Sequence, residues 1–266
     1  MNKGNLLILA LIAVLVGIII VSLMPAPNAP EQEVAVPTPP AAPANPAAPA
    51  ADAERYPIVA EASSSRATEP MNIEDSDSAY RDGLQQLVGA EALAYFYPDR
   101  MIRRFVATID NLPRQEASAK LMPVKPVGGP FLVERSANPK TIDPANAQRY
   151  VRYLEIMAAI DVKRLVDIYI SFYPVFQQAY RELGYPRGYF NDRLVDAIDD
   201  LLATPDVAHP LAVVQPKVLY TFADPALEKL SAGQKMMLRM GAENMARAKI
   251  LLIAIRGELL RRSPGK

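Results

Sequence analysis

Cysteine is absent from the 266 residues, and histidine occurs once. Without cysteine the chain has no disulfide framework, no thiolate metal site and no thiol nucleophile. The lone histidine, His209, stands between Ala208 and Pro210. A catalytic histidine needs an orienting partner and a histidine metal site needs more than one, so a loop residue is the simpler reading. G-x-S-x-G and phosphate-cradling glycine loops are also missing, and the one S-x-x-K spacing, Ser263 to Lys266, falls at the C-terminus. Nor is either charge in excess: Lys plus Arg and Asp plus Glu are 29 each. Residues 71–266 carry 23 acids and 26 bases, too even a balance for a cationic nucleic-acid surface. These residues call for no cofactor, no metal and no nucleic-acid partner, and they leave an enzyme unsupported.

What the chain does have is an uninterrupted apolar run. Leu6 to Met24 is uncharged over nineteen positions, and as a helix it spans about 28 Å, close to a bilayer's hydrocarbon core. A cleavable signal peptide has a shorter core and a small-x-small cleavage site. Here the best such site, near Ala26 to Ala29, is crowded by Pro25, Pro27 and Pro30, which favours a retained signal anchor. Lys3 on one flank, against Glu31 and Glu33 on the other, places the N-terminus in the cytoplasm and the body outside the inner membrane, in the periplasm of a Gram-negative cell. Proline and alanine dominate from Pro25 to about Pro70, which predicts a semi-rigid, disordered tether. The expected organisation is a cytoplasmic stub over 1–5, a transmembrane signal anchor over 6–24, a disordered linker over 25–74 and one folded domain over 75–262.

That domain reads as mainly α, a single helical unit with minor short β-strands. Ser76-Asp77-Ser78 offers N-cap residues for a first helix that Gly89 ends, and a second helix covers Asp99 to Asp110. Phe131-Leu132-Val133 predicts a strand, and Asp143-Pro144 opens a helix through Tyr150, Tyr153, Leu154 and Met157. Val162, Leu165, Val166, Tyr169, Tyr173, Phe176, Tyr180 and Leu183 share one helical face, with a kink or break expected at Pro174. Asn191 to Ala203 is amphipathic. Leu211 to Val214 and Val218 to Phe222 predict two short strands, and Asp224-Pro225 caps a helical turn. Ser231 and Gln234 have capping-box spacing, opening a helix expected to run to Arg262 as the domain's longest.

Several runs in fixed order carry a resemblance: Val106 to Arg114 (VATIDNLPR), Tyr173 to Tyr180 (YPVFQQAY), Glu182 to Pro186 (ELGYP), Phe190 to Arg193 (FNDR), and Phe222 to Pro225 (FADP) through Ser231 to Lys235 (SAGQK) to Leu238 to Gly241 (LRMG). Together they resemble a bacterial family known only as domain of unknown function 3014, over about residues 75 to 260. The resemblance implies N-terminally anchored envelope proteins and assigns no activity and no catalytic residue.

Two charged groups are the candidate sites. Asp192, Asp196 and Asp199, with Asp200 beside them, recur on one helix face and could ligate a hard cation or act as general acid and base on a sugar. A solvated face opposite a good apolar stripe accounts for them more simply. Arg103, Arg104, Lys217, Lys235 and Arg239 could converge on an anion such as a lipid head group or a wall carboxylate, though long helices need charged outer faces anyway. The aromatic series from Tyr150 to Phe190 could line a glycan cleft, but its helical spacing favours core. Two function classes follow. One is a non-catalytic binding or scaffolding module that engages another envelope protein or the cell wall. The alternative is a carboxylate-dependent hydrolase or metal-dependent enzyme acting on envelope components.

Overall fold

The computed structural model describes residues 54–58, 73–125, 130–134, 136 and 138–263. The anchor expected at 6–24 and most of the 25–74 linker lie outside these residues. Among those described, no helix is long and apolar enough to cross a membrane.

Helices dominate. In chain order they are α1 (Ile73–Leu93), α2 (Met101–Asn111), α3 (Gln148–Ala158), α4 (Val162–Glu182), α5 (Phe190–Leu202), α6 (Pro225–Glu228), α7 (Ala232–Arg239) and α8 (Ala242–Arg262). Two antiparallel ribbons supply the minor β component. β1 (Val133–Glu134) pairs with β2 (Thr141–Ile142), and β3 (Val213–Val214) pairs with β4 (Thr221–Phe222). A bridge from Thr141 to Ala212 joins the two ribbons.

Local chemistry explains most boundaries. Asp161 caps α4 by accepting the amides of Lys163 and Arg164, and Asp224 caps α6 through Ala226. Ser231 and Gln234 form the complete capping box at the start of α7. Asp143 caps Pro144–Ala147, which winds as a 3₁₀ turn leading into α3.

Four boundaries differ from the sequence reading. The first helix starts at Ile73, so Ser76 lies inside it, wholly buried, rather than capping it. Gly89 (φ 80°) breaks the regular geometry as expected, yet helix resumes to Leu93. Pro174 does not end α4, which runs on to Glu182. It cannot donate to the Ile170 carbonyl, but Val175, Phe176, Ala179 and Tyr180 beyond it are all buried, and that burial keeps the last two turns helical. Finally, the helix opened at Ser231 stops at Arg239. Gly241 (φ 89°) turns the chain before α8, and three helices of 21 residues, α1, α4 and α8, share the greatest length.

The core is aromatic at its centre. Helix α4 packs on α1, α2, α5 and α8. Phe176 of α4 stacks on Phe190 of α5 with ring centroids 5.7 Å apart, while Phe105 of α2 and Tyr80 of α1 meet Phe176 edge-on. Tyr150, Tyr169, Phe176 and Phe190 are wholly buried, so these rings are packing rather than a cleft lining. Leu183, assigned to the same face from its spacing, is instead exposed past the end of α4.

Candidate functional site

The residues with most chemistry gather around the first turns of α5. Arg55, from the stretch expected to be linker, lies there with its neighbours, the chain bending at Arg55 and Tyr56. Its backbone N–H donates to Asp192 Oδ2 at 3.0 Å, and the Tyr56 N–H donates to Asp192 Oδ1 at 2.9 Å. One carboxylate therefore holds two successive main-chain amides. The Tyr56 carbonyl accepts from Asn191 Nδ2 at 2.7 Å, and the Arg55 guanidinium reaches Asp196 at 2.6 Å. The Tyr173 hydroxyl lies 3.4 Å from Glu54 Oε1 and 3.1 Å from Gln177 Oε1. Ile58 packs against the core. The linker expected over 25–74 is thus interrupted at 54–58, because arginine, tyrosine and isoleucine give this stretch something to bury and to pair. Tyr56 is the one aromatic residue between Pro25 and Pro70, the signal in the sequence that could have marked it.

Charge is shaped by these contacts. Burial and the Asp192 carboxylate push the Glu54 carboxyl up, while the hydrogen bond to Asp196 raises the Arg55 guanidinium further. Burial also pushes the Tyr173 and Tyr169 phenols well above their ordinary value.

The other two acids of the stripe point elsewhere. Asp199 makes a two-pronged ion pair with Arg256 of α8, at 2.5 and 3.1 Å. Asp200 accepts the Ser231 hydroxyl at 2.6 Å and so braces the α7 capping box. All four carboxylates have partners within the chain. No group of three or more His, Asp or Glu among the described residues is placed to hold a metal ion.

The five basic residues do not converge. Arg103 pairs with Glu182 at the end of α4. Arg104 bonds Asp99 and the carbonyls of Lys120 and Met122. Lys217 is exposed in the β3–β4 turn. Lys235 and Arg239 do share a neighbourhood, for Lys235 binds Glu228 and that carboxylate's charge also reaches Arg239. Yet Arg239, expected on an outer face, is only 4 % exposed, bonded to the Tyr220 carbonyl and lying over the Phe222 ring. His209 borders a cavity of about 500 Å³ at the head of α8, with Asn146, Asn244 and Arg247 among its other walls.

A second cluster, which sequence reasoning missed, lies beside the first. Asp110 of α2 is buried and accepts Arg114 Nη2 at 2.6 Å, Arg193 Nε at 3.1 Å and the Tyr185 hydroxyl at 3.1 Å. Arg193 also donates to the Asp110 carbonyl. Tyr185 stacks on Tyr180, centroids 4.6 Å apart. Gln177 Oε1 accepts the Phe190 amide at 2.8 Å, and its Nε2 donates to the Gly188 carbonyl at 2.7 Å. Across from them, the amides of Ala232 and Gly233 donate to the carbonyls of Arg114 and Leu112. Five of the runs quoted for the family resemblance therefore meet at one place, where α2, the α4–α5 turn and the start of α7 are locked together.

No curated protein and no solved structure matches the chain. A family model does, over residues 101–256, from the start of α2 to the last turns of α8. The chain belongs to the family described as Protein of unknown function (DUF3014).

Proposed function

We propose that this protein is a tethered, non-catalytic binding module of the bacterial envelope. In this reading the run 6–24 holds it to the inner membrane with its N-terminus in the cytoplasm, and the helical domain faces the periplasm. The nineteen uncharged residues, Lys3 before them and the Pro/Ala composition after them support the anchoring and the side. The binding role is carried by one observation: the first turns of α5 hold a bent stretch of peptide by its main chain, through Asp192 and Asn191. Main-chain contacts supply affinity that depends little on sequence, while flanking side chains choose among segments. The partner class is an envelope protein that presents such a segment.

The hydrolase alternative needs two carboxylates facing across a groove, one of them able to carry a proton to the substrate. Asp192 and Asp196 lie one turn apart on a single helix rather than facing across a groove, and Asp199 and Asp200 are bonded to Arg256 and Ser231, which leaves that reading without a pair.

In-cell crosslinking of the full-length protein tests the proposal, against a control in which residues 71–266 are replaced by an inert domain. A protein recovered only with the native domain is the expected result. An empty result with crosslinkers of several lengths overturns it. Protease added to spheroplasts tests the orientation, with digestion of the domain expected and full protection contradicting it.

A further inference from the structure

The five residues Glu54–Ile58 touch α4 and α5 as a ligand touches a receptor. Two amides, one carbonyl and one guanidinium are read, each by a different oxygen or nitrogen of Asn191, Asp192 or Asp196. With the stretch in place Asn191 is wholly buried and the Asp192 side chain is only 14 % exposed, so the groups that read the peptide backbone do so out of water. The groups that read the arginine are not: Arg55 and Asp196 are nearly half exposed, so losing that pair alone changes little, whereas a reversed charge at 55 would face both Asp192 and Asp196.

The fit is incomplete beneath the peptide. The Asn191 Oδ1 and the Tyr169 hydroxyl are both buried and make no hydrogen bond among the described residues. Tyr169 lies close enough to feel the charges of Glu54 and Asp192. A buried donor and a buried acceptor left unpaired each cost the occupant stability. A ligand that satisfied them would bind better than the one in place.

Residues 59–72 connect this stretch to α1, a link of 14 residues. Joining a ligand to its site through a short stretch of chain sets its effective concentration on the order of millimolar. A weak, imperfect segment can therefore fill the site when it belongs to the same chain, and still yield to a tighter rival.

We propose that the Asn191–Asp196 turn of α5 is a docking site for a bent peptide stretch that carries an arginine, and that residues 54–58 of the same chain are its resident, displaceable occupant. The domain is then self-plugged. A partner presenting a matching segment must expel Glu54–Ile58, and expulsion frees the length of tether that docking had taken up. This inference rests on the reading of the domain as a binding module and adds the ligand class and the competitor.

The test uses the full chain in detergent micelles and a fluorescent synthetic peptide of residues 52–60. Arg55→Glu weakens the resident segment without touching the folded domain. That variant is expected to bind the free peptide at least tenfold more tightly than the natural chain does, because the internal competitor is gone. Adding Asp196→Arg should remove the binding of the Arg55 peptide and restore slow hydrogen exchange at the Arg55→Glu chain's own amides 55 and 56. Thermal unfolding verifies that each variant is folded. Equal binding to natural and Arg55→Glu chains overturns the competition, and so does binding to neither. Exchange of amides 55 and 56 in the natural chain at unprotected-peptide rates overturns the docking. Crosslinking in cells is independent of all these readouts, so loss of the envelope partner and loss of the plug are separately visible.

Discussion

Arg193 on α5 donates its Nε to Asp110 on α2 at 3.1 Å, and through that contact two helices are locked at the turn that begins the candidate site. Arg114 takes the other carboxylate oxygen at 2.6 Å. The next residue back, Asp192, grips the docked peptide. A structural ion pair and a recognition carboxylate thus occupy consecutive positions, and the first orients the second.

Removing the Asp110 carboxylate strands two guanidinium groups beside a side chain that is 5 % exposed. Breaking a buried pair from one side typically costs about 3–5 kcal/mol. Asp110→Ala is expected to lose stability toward the lower end of that range, since Arg114 is 44 % exposed and regains water. Urea unfolding measures it, and a loss below about 1 kcal/mol would show that the network is not holding α2 to α5.

Two glycines should respond to alanine with opposite signs. A Cβ on Gly233 would stand 2.6 Å from Leu201 Cδ2 and 3.2 Å from the Leu112 carbonyl, where the start of α7 meets α2 and α5. Overpacking of this kind costs about 1–3 kcal/mol. Gly257 lies mid-helix in α8 with nothing within 4 Å, so Gly257→Ala gains about 0.5–1 kcal/mol of helix propensity. Paired melting curves decide it, and a stabilised Gly233→Ala would mean that the α7–α2 contact is looser than described.

Arg239 is buried with its Nη1 unbonded among the described residues, and burial pulls its pKa below the usual guanidinium value. Replacing a buried, incompletely paired charge by an apolar side chain of similar length is often neutral or stabilising. Arg239→Met is accordingly expected to keep or raise the melting temperature, whereas Arg239→Ala, which also empties the space over Phe222, lowers it. A large loss in the methionine variant would contradict this.

Burial raises the Asp200 carboxyl above its ordinary value, opposed by the Ser231 hydrogen bond and the Arg193 charge. A carboxyl whose folded pKa is raised binds more protons folded than unfolded, so its ionisation erodes stability as pH climbs through and beyond the ordinary carboxylate value of 3.8. Asp200→Asn keeps an acceptor for Ser231 and removes that cost. Its stability relative to the natural chain should therefore be greater at pH 7 than at pH 3, and the opposite trend in denaturant titrations would reverse the sign.

Within the domain, what the sequence determined by itself is everything that depends on neighbours along the chain. Helical periodicity marked α2, α4 and α5 nearly to the residue, because an apolar stripe at that spacing can be buried in only one way. The Ser231–Gln234 box and the Asp–Pro caps were legible because a cap bonds within three residues of itself. The break allowed for at Pro174 and the helix carried through Gly241 came out otherwise for a related reason: whether proline breaks a helix, or glycine splits one, depends on what packs against the flanking turns.

Tertiary structure alone decided which charges are used. On the α5 helix Asp192, Asp196 and Asp199 look equivalent, spaced like any solvated stripe. Folding gives one of them peptide amides from 136 residues upstream and another an arginine 57 residues downstream, while Asp200 braces a cap 31 residues on. Arg239 went the other way, from an expected outer face into the interior. No periodicity along a helix carries that information, since a charged side chain's role is set by the partner that folding brings to it, and those partners lie on other elements.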